Sequence, residues 1–188
     1  RECYLQSEAS ARLVRVMSDW SAEAGLEAFH GNTNLGFLRT LTVRESERTG
    51  ERLINITTTD DPEAMYRGAL HPARDIVVAM ADALIQLAAQ QDVTLTSIVW
   101  TRHRAVRGER TSFHEEVLLG DGLLREVMLL HGERALRFEI HPRAFFQPNT
   151  RQAERLYNQV LAHVSEAGPL PTLEVLDLYC GTGTIGLS

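Results

Sequence analysis

Apolar residues Leu13, Met17, Trp20 and Ala24 recur at spacings of four, three and four between Ser7 and Gly25. That spacing gathers them on one side of a helix, with the serine marking its start and the glycine its end. The period then falls to two. In GFLRTLTVRE and ERLINITTTD, Leu41 and Val43, then Ile54 and Ile56, alternate with Thr40, Thr42, Asn55 and Thr57, which predicts two paired strands with one apolar and one polar face. Asp60, Asp61 and Pro62 break the alternation, and Pro72 suits the first turn of a second helix. Ile76, Val77, Met80, Leu84, Leu87 and Ala88 form its core-facing stripe. TLTSIVWT reads as a third strand and completes a helix and sheet unit.

Between residues 114 and 141 the period is again two, in EEVLLG, LLREVMLL and RALRFEIH. Gly120, Asp121 and Gly122 and a turn at Gly132 are expected to join these as hairpins, because glycine supplies positive φ there. Residues 150 to 167 read as a helix with Ala153, Leu156, Tyr157, Val160, Leu161 and Val164 on one face. Asn149 or Thr150 can cap its start, and Gly168 and Pro169 end it. Residues 173 to 180 then read as a buried strand, 181 to 183 as a glycine turn, and 184 to 188 as the start of a further helix.

Composition narrows the class. The 188 residues are 44% hydrophobic and 23% charged, enough to bury a core and too apolar for disorder. No run approaches the roughly 18 apolar residues of a membrane span, and the start lacks the pattern of a secretory signal, so a cytoplasmic protein without membrane contact is expected. Cys3 and Cys180 are the two cysteines, too few for a disulfide framework or a four-thiolate site. The formal charge of -6 gives no sign of nucleic acid. All nineteen basic residues are Arg; Arg grips phosphate bidentately, although codon bias explains the usage as simply. The run TRHRAVRGER, with Arg102, Arg104, Arg107 and Arg110, reads either as a solvated loop or as an RNA contact. No histidine pair shows metal spacing. Since the first residue is Arg and the last falls inside an expected helix, a segment of a longer protein is expected.

Two stretches carry candidate chemistry. In DLYCGTGTIG the glycines 181, 183 and 186 satisfy the dinucleotide spacing after a strand. Asp177, four residues before Gly181, would set a carboxylate against a pyrophosphate, and it suits a cationic or hydroxyl-bearing ligand better. S-adenosylmethionine is such a ligand, with a ribose, an ammonium and a sulfonium. The second stretch, HPRAFFQPNT, sets two aromatics, an amide and a proline in a loop before the capped helix. Taken separately, Phe145 and Phe146 read as core anchors and Gln147 as a cap or solvated residue.

FFQPNTRQAERLYNQVL followed by VLDLYCGTGTIGL resembles the junction of the RNA uracil-5-methyltransferases, which methylate C5 of a uridine in ribosomal or transfer RNA with S-adenosylmethionine. ECYLQSE is similar to the stretch bearing the last iron–sulfur cysteine in many members, and GFLRTLTVRE and HPRAFFQPN resemble parts of the central domain. The resemblance implies an α/β architecture. Residues 1 to 140 would be the central α+β domain, helices on a mixed or antiparallel sheet, and 141 to 188 the first part of a Rossmann-like cofactor domain. It implies that Phe145 and Gln147 meet the target base, and that Gln147, Asp177, Tyr179, Gly181, Gly183 and Thr184 edge the S-adenosylmethionine site. It gives Cys180 a packing role. Cys3 would be a single ligand of a possible 4Fe-4S cluster in the full-length protein, while one thiolate alone cannot hold a cluster.

This chemistry explains the residue types. C5 of uracil is a poor nucleophile until a cysteine thiolate adds at C6 to make an enolate, after which a base removes the C5 proton. The target base must also leave its stack for a pocket, where an aromatic face and an amide edge suit it. The family's nucleophilic cysteine and general base fall beyond Ser188, so the chain alone is expected to be inactive. The partner implied is RNA, and a monomer is expected. Methylation of another substrate, a non-catalytic RNA-binding module and a dinucleotide oxidoreductase are the rival readings, separated by the sequence beyond residue 188.

Overall fold

The computed structural model describes residues 6–106, 108–130 and 134–166, and beyond them 168, 174, 176, 178, 180, 181, 183 and 184. Cys3, Arg107, Gly132, Asp177, Tyr179, Gly186 and Ser188, each named in the sequence reading, lie outside the described residues.

Helix α1 spans Glu8–Glu23 and begins where expected, because the Ser7 hydroxyl accepts the Ser10 N–H at 3.1 Å. Strands β1 (Leu38–Glu45) and β2 (Arg52–Thr59) pair antiparallel, with Leu41 opposite Ile56 and Val43 opposite Ile54. A short hairpin of β3 (Glu63–Tyr66) and β4 (Ala69–Pro72) follows. The sequence reading missed it, since four-residue strands are too short to show a period. Helix α2 (Ala73–Gln90) then carries the chain over to β5 (Ser97–Arg104), which lies parallel to β2. Strand β6 (Ser112–Leu119) pairs antiparallel with β5 and completes a four-stranded sheet of order β1-β2-β5-β6. The result is an α/β fold with a mixed sheet.

One face of this sheet receives both helices. Leu13 and Met17 of α1 and Ile76, Val77, Met80 and Leu84 of α2 bury with Ile54, Ile56, Ile98 and Trp100. Each such large side chain contributes roughly 1.5 to 3 kcal/mol by leaving water. The indole N–H of Trp100 donates to Thr58 Oγ1 at 2.9 Å, so neither buried polar group is left unpaired. The other face was expected to be polar and is nevertheless partly covered. Asn55 and Thr101 are buried there and satisfy each other, the Thr101 hydroxyl donating to Asn55 Oδ1 at 2.8 Å.

The cover is a second, two-stranded sheet of β7 (Leu124–Leu130) and β8 (Arg134–Ile140). Leu124 and Ile140 pack on Leu53 of β2, while Met128 and Leu130 meet Ala153 and Tyr157 of α3 (Thr150–Glu166). The expected β6 to β7 hairpin does not form. Strand β6 pairs with β5 and β7 pairs with β8, because alternation sets which face a strand buries and says nothing of which strand lies beside it. Leu156, assigned to the apolar face of α3, is 51% exposed. Helix α3 buries only the side that meets β7 and β8.

The turn between the sheets depends on Gly120. Its φ is +71°, and a Cβ there would stand 2.0 Å from the Thr96 carbonyl oxygen. Replacing Gly120 with Ala is expected to cost about 2 kcal/mol, from the left-handed backbone and the displaced turn together. Urea unfolding measures this, and an unchanged midpoint would show that the turn is not held against β5.

Candidate functional site

Residues 141–149 connect β8 to α3, and nearly every side chain in this loop is committed to holding it in place. His141 Nε2 lies 2.8 Å from Glu115 of β6, and the Arg143 guanidinium lies 3.6 Å from the same carboxylate. Arg44 of β1 donates through Nη2 to the Ala144 carbonyl at 2.6 Å. Phe146 turns inward and packs tilted against Phe138 at 5.3 Å between ring centroids. Asn149 caps α3, its Oδ1 accepting the Gln152 N–H at 3.0 Å, and the Thr150 hydroxyl donates to Glu126 at 2.9 Å.

Apart from the two prolines, two side chains remain. Phe145 is 73% exposed, and Gln147 is half-buried with no hydrogen-bond partner among the described residues. Both line a cleft of about 360 Å³ closed by Thr42 and Arg44 of β1, Leu124 and Glu126 of β7, and Ile140 of β8. Of the two adjacent aromatics, Phe146 is therefore the core anchor and Phe145 the free ring. The cap belongs to Asn149 and not to Gln147.

The cleft is lined mainly by apolar surface, with the charged side chains Arg44, Glu45 and Glu126 set into it. Burial pulls the Arg44 guanidinium below its ordinary value, and its Nε is buried with no partner among the described residues. Glu126 is 4% exposed and accepts from Ser46 Oγ at 2.9 Å, the Val127 N–H at 2.8 Å and Thr150. Burial would raise the Glu45 carboxyl, but hydrogen bonds from Ser7 and Ser10 and the charge of Arg52 outweigh it and hold the group below the usual range. Such a cleft suits a flat ligand with one apolar face and a hydrogen-bonding edge. Sequence reasoning missed Arg44, Thr42 and Glu126. The alternation of β1 assigned its polar positions to solvent, and only the docking of β7 and β8 encloses them.

The glycine turn is a separate feature. Among the described residues lining the cleft, none comes from it. Gly181 and Gly183 have φ of +57° and +72°, and the Gly183 N–H donates to the Cys180 carbonyl at 2.8 Å. Left-handed φ at two nearby positions explains the choice of glycine. The described residues 174, 176, 178 and 180 are exposed and form no strand, with Leu176 80% exposed, which corrects the buried strand expected there. A strand needs a pairing neighbour, and none is present for this stretch among the described residues. Thr184 is buried at 7% exposure, and Cys180 is exposed. Among the described residues no group of three or more potential ligands could hold a metal, and no helix is long and apolar enough to cross a membrane.

Comparison with known proteins bears on this site. No protein-family model matches the chain. A protein of Protochlamydia amoebophila named an RNA methyltransferase is 34% identical over 191 residues, covering 100% of this chain and 41% of the relative. One from Chlorobaculum tepidum, also named an RNA methyltransferase, is 37% identical over 185 residues, covering 98% of this chain and 34% of the relative. The chain thus spans between a third and a half of the length of these curated relatives. Among solved structures, the tRNA (uracil-54, C5)-methyltransferase of Pyrococcus abyssi, in complex with S-adenosyl-L-homocysteine, superposes with a TM-score of 0.59 at 21% identity. That match covers 98% of this chain and 38% of the other, and it establishes a shared fold.

Proposed function

We propose, on the premise that this chain belongs to the family of RNA methyltransferases its relatives represent, that the full-length protein transfers a methyl group from S-adenosylmethionine to C5 of a uridine in ribosomal or transfer RNA. The observation that carries the reading is the pairing of Phe145 and Gln147, the two loop side chains left uncommitted, on one cleft. The exposed ring offers a face for an extruded pyrimidine, and the amide offers both a donor and an acceptor for its O4 and N3–H edge. Arg44 fixes the Ala144 carbonyl and so sets the position of both. Bound S-adenosylmethionine would supply an electrophilic methyl group. The residues proposed to hold it are Asp177, Tyr179, Gly181, Gly183 and Thr184, with Gln147 shared between donor and base. Domains at 1–140 and 141–188 are part of the same proposal.

The test uses the full-length protein, S-adenosylmethionine labelled in its methyl group, and unmodified ribosomal and transfer RNA. Label should enter RNA and be released by ribonuclease. Label appearing in protein or in a small molecule while RNA stays unlabelled would refute the reading.

A further inference from the structure

Arg44 is the only arginine among the described residues lining the cleft, and it stands there half-buried without a counter-charge. Its Nη2 donates to a neutral acceptor, the Ala144 carbonyl, at 2.6 Å. Nε is enclosed and unpaired, and Nη1 has no partner among the described residues. Neighbouring arginines differ. Arg48 pairs with Glu154, Arg52 with Glu45 at 3.3 Å, Arg143 with Glu115 at 3.6 Å and Arg151 with Glu47 at 2.6 Å. The two carboxylates that line the cleft are also committed elsewhere. Glu45 accepts from the Ser7 and Ser10 hydroxyls at 2.6 and 2.7 Å and from Arg52, and Glu126 accepts from Ser46, Val127 and Thr150. Burial lowers the Arg44 pKa, and no neighbouring carboxylate offsets it. A partly buried cation with no opposing charge is costly, and an anionic group entering the cleft offsets that cost.

We propose that Arg44 takes a phosphate of the nucleotide whose base enters the cleft, which makes the cleft a site for a whole nucleotide. A uracil ring is neutral, so a base alone would leave the guanidinium unopposed. Three observations select a phosphate. Guanidinium N–H groups match phosphate oxygens, and this one is engaged through a single nitrogen. The residue it holds, Ala144, directly precedes Phe145, so the cation adjoins the ring proposed to face the base. No described residue of the glycine turn lines the cleft, which favours the nucleotide over the carboxylate of the methyl donor as the source of the anion. The inference rests on the reading of the cleft as a uridine site and adds the recognition of its backbone.

The experiment measures binding of uridine and of uridine 3′,5′-bisphosphate to the full-length protein by ligand-detected NMR at fixed ionic strength, beside thermal melts of each variant. In the wild type the bisphosphate should bind about five- to twentyfold more tightly than uridine, the scale of a charge-assisted contact. Arg44→Gln should bring that ratio below about twofold, because glutamine carries no charge. Arg15→Gln removes a charge from an exposed position on α1 and should leave the ratio unchanged. Arg44 also holds the loop, so the ratio is the readout: a displaced loop would weaken both probes alike. A wild-type ratio in folded Arg44→Gln protein would overturn the proposal, and so would equal affinity of the two probes in the wild type. An equal fall with Arg15→Gln would overturn it too, since net charge would then account for the effect. Weaker S-adenosylmethionine binding in Arg44→Gln, with the uridine ratio intact, would overturn it in favour of the donor's carboxylate. Cytidine 3′,5′-bisphosphate binding as tightly as the uridine compound, with the same dependence on Arg44, would support the phosphate contact and count against uridine as the substrate.

Discussion

Replacing Gln147 with Ala in the full-length protein is expected to slow single-turnover methyl transfer to RNA by about ten- to a hundredfold. The amide meets no partner within the described protein, so its hydrogen bonds are available to the ligand that fills the cleft. Removing it leaves polar edges of an enclosed base unpaired, at roughly 1 to 3 kcal/mol, and each 1.36 kcal/mol is about tenfold in rate. Overall RNA affinity should change little, because phosphate contacts elsewhere dominate it. Thermal stability should also hold, since Gln147 supports neither the core nor the helix start. Asn149→Ala makes the contrasting case. It removes the hydrogen bond to the Gln152 N–H, so stability should fall by about 1 kcal/mol while methyl transfer per folded molecule stays normal. Normal turnover in the Gln147→Ala protein would remove the cleft from the reaction.

Glu154→Ala should give the largest loss of stability. The Glu154 carboxylate is 8% exposed and accepts from both terminal nitrogens of Arg48, one at 3.0 Å, and from the Leu129 N–H at 2.7 Å. Arg48 sits in the turn between β1 and β2 and also donates to the Val127 carbonyl at 2.7 Å, so one carboxylate ties α3, β7 and the main sheet together. Truncation leaves a guanidinium and a backbone N–H without their acceptor, at about 3 kcal/mol, which lowers Tm by roughly 6 to 12 °C for a chain of this size. Burial alone would raise the Glu154 pKa, but the hydrogen bonds from Arg48 and Leu129 and the Arg48 charge outweigh it and hold the group below the ordinary carboxylate range. The depressed value makes this stabilisation complete at neutral pH. It is lost as pH falls through the folded-state pKa, and the gap between wild type and variant should narrow in acid. A gap that stays constant down to low pH would mean that the carboxylate's charge is not what stabilises.

Much of the fold was legible because burial imposes its period on the chain. The stripes of α1 and α2 and the alternation of β1 and β2 all report a single apolar face, and the structure buries those faces together. Strand partners were not legible. The residues of β6 and β7 alternate alike, and only the close approach of Gly120 to Thr96 and the bond from the Gly122 N–H to Ser97 Oγ at 3.2 Å send them to different sheets. The burial of Asn55 was hidden for a related reason: its partner Thr101 lies forty-six positions away, and polar pairs of that kind leave no local pattern. The cleft was half legible. Residues Phe145 and Gln147 stood out by type and by the resemblance they carry, but which of Phe145 and Phe146 turned outward depended on Phe138.

Methylation at C5 has a signature of its own, since the hydrogen on C5 must leave when the methyl group arrives. RNA carrying tritium at uridine C5, incubated with the full-length protein and S-adenosylmethionine labelled with carbon-14 in its methyl group, therefore gives both readouts from one sample. Tritium released to water in equal amount to methyl groups gained is the result predicted. Methyl groups entering the RNA while the tritium stays in place would contradict it.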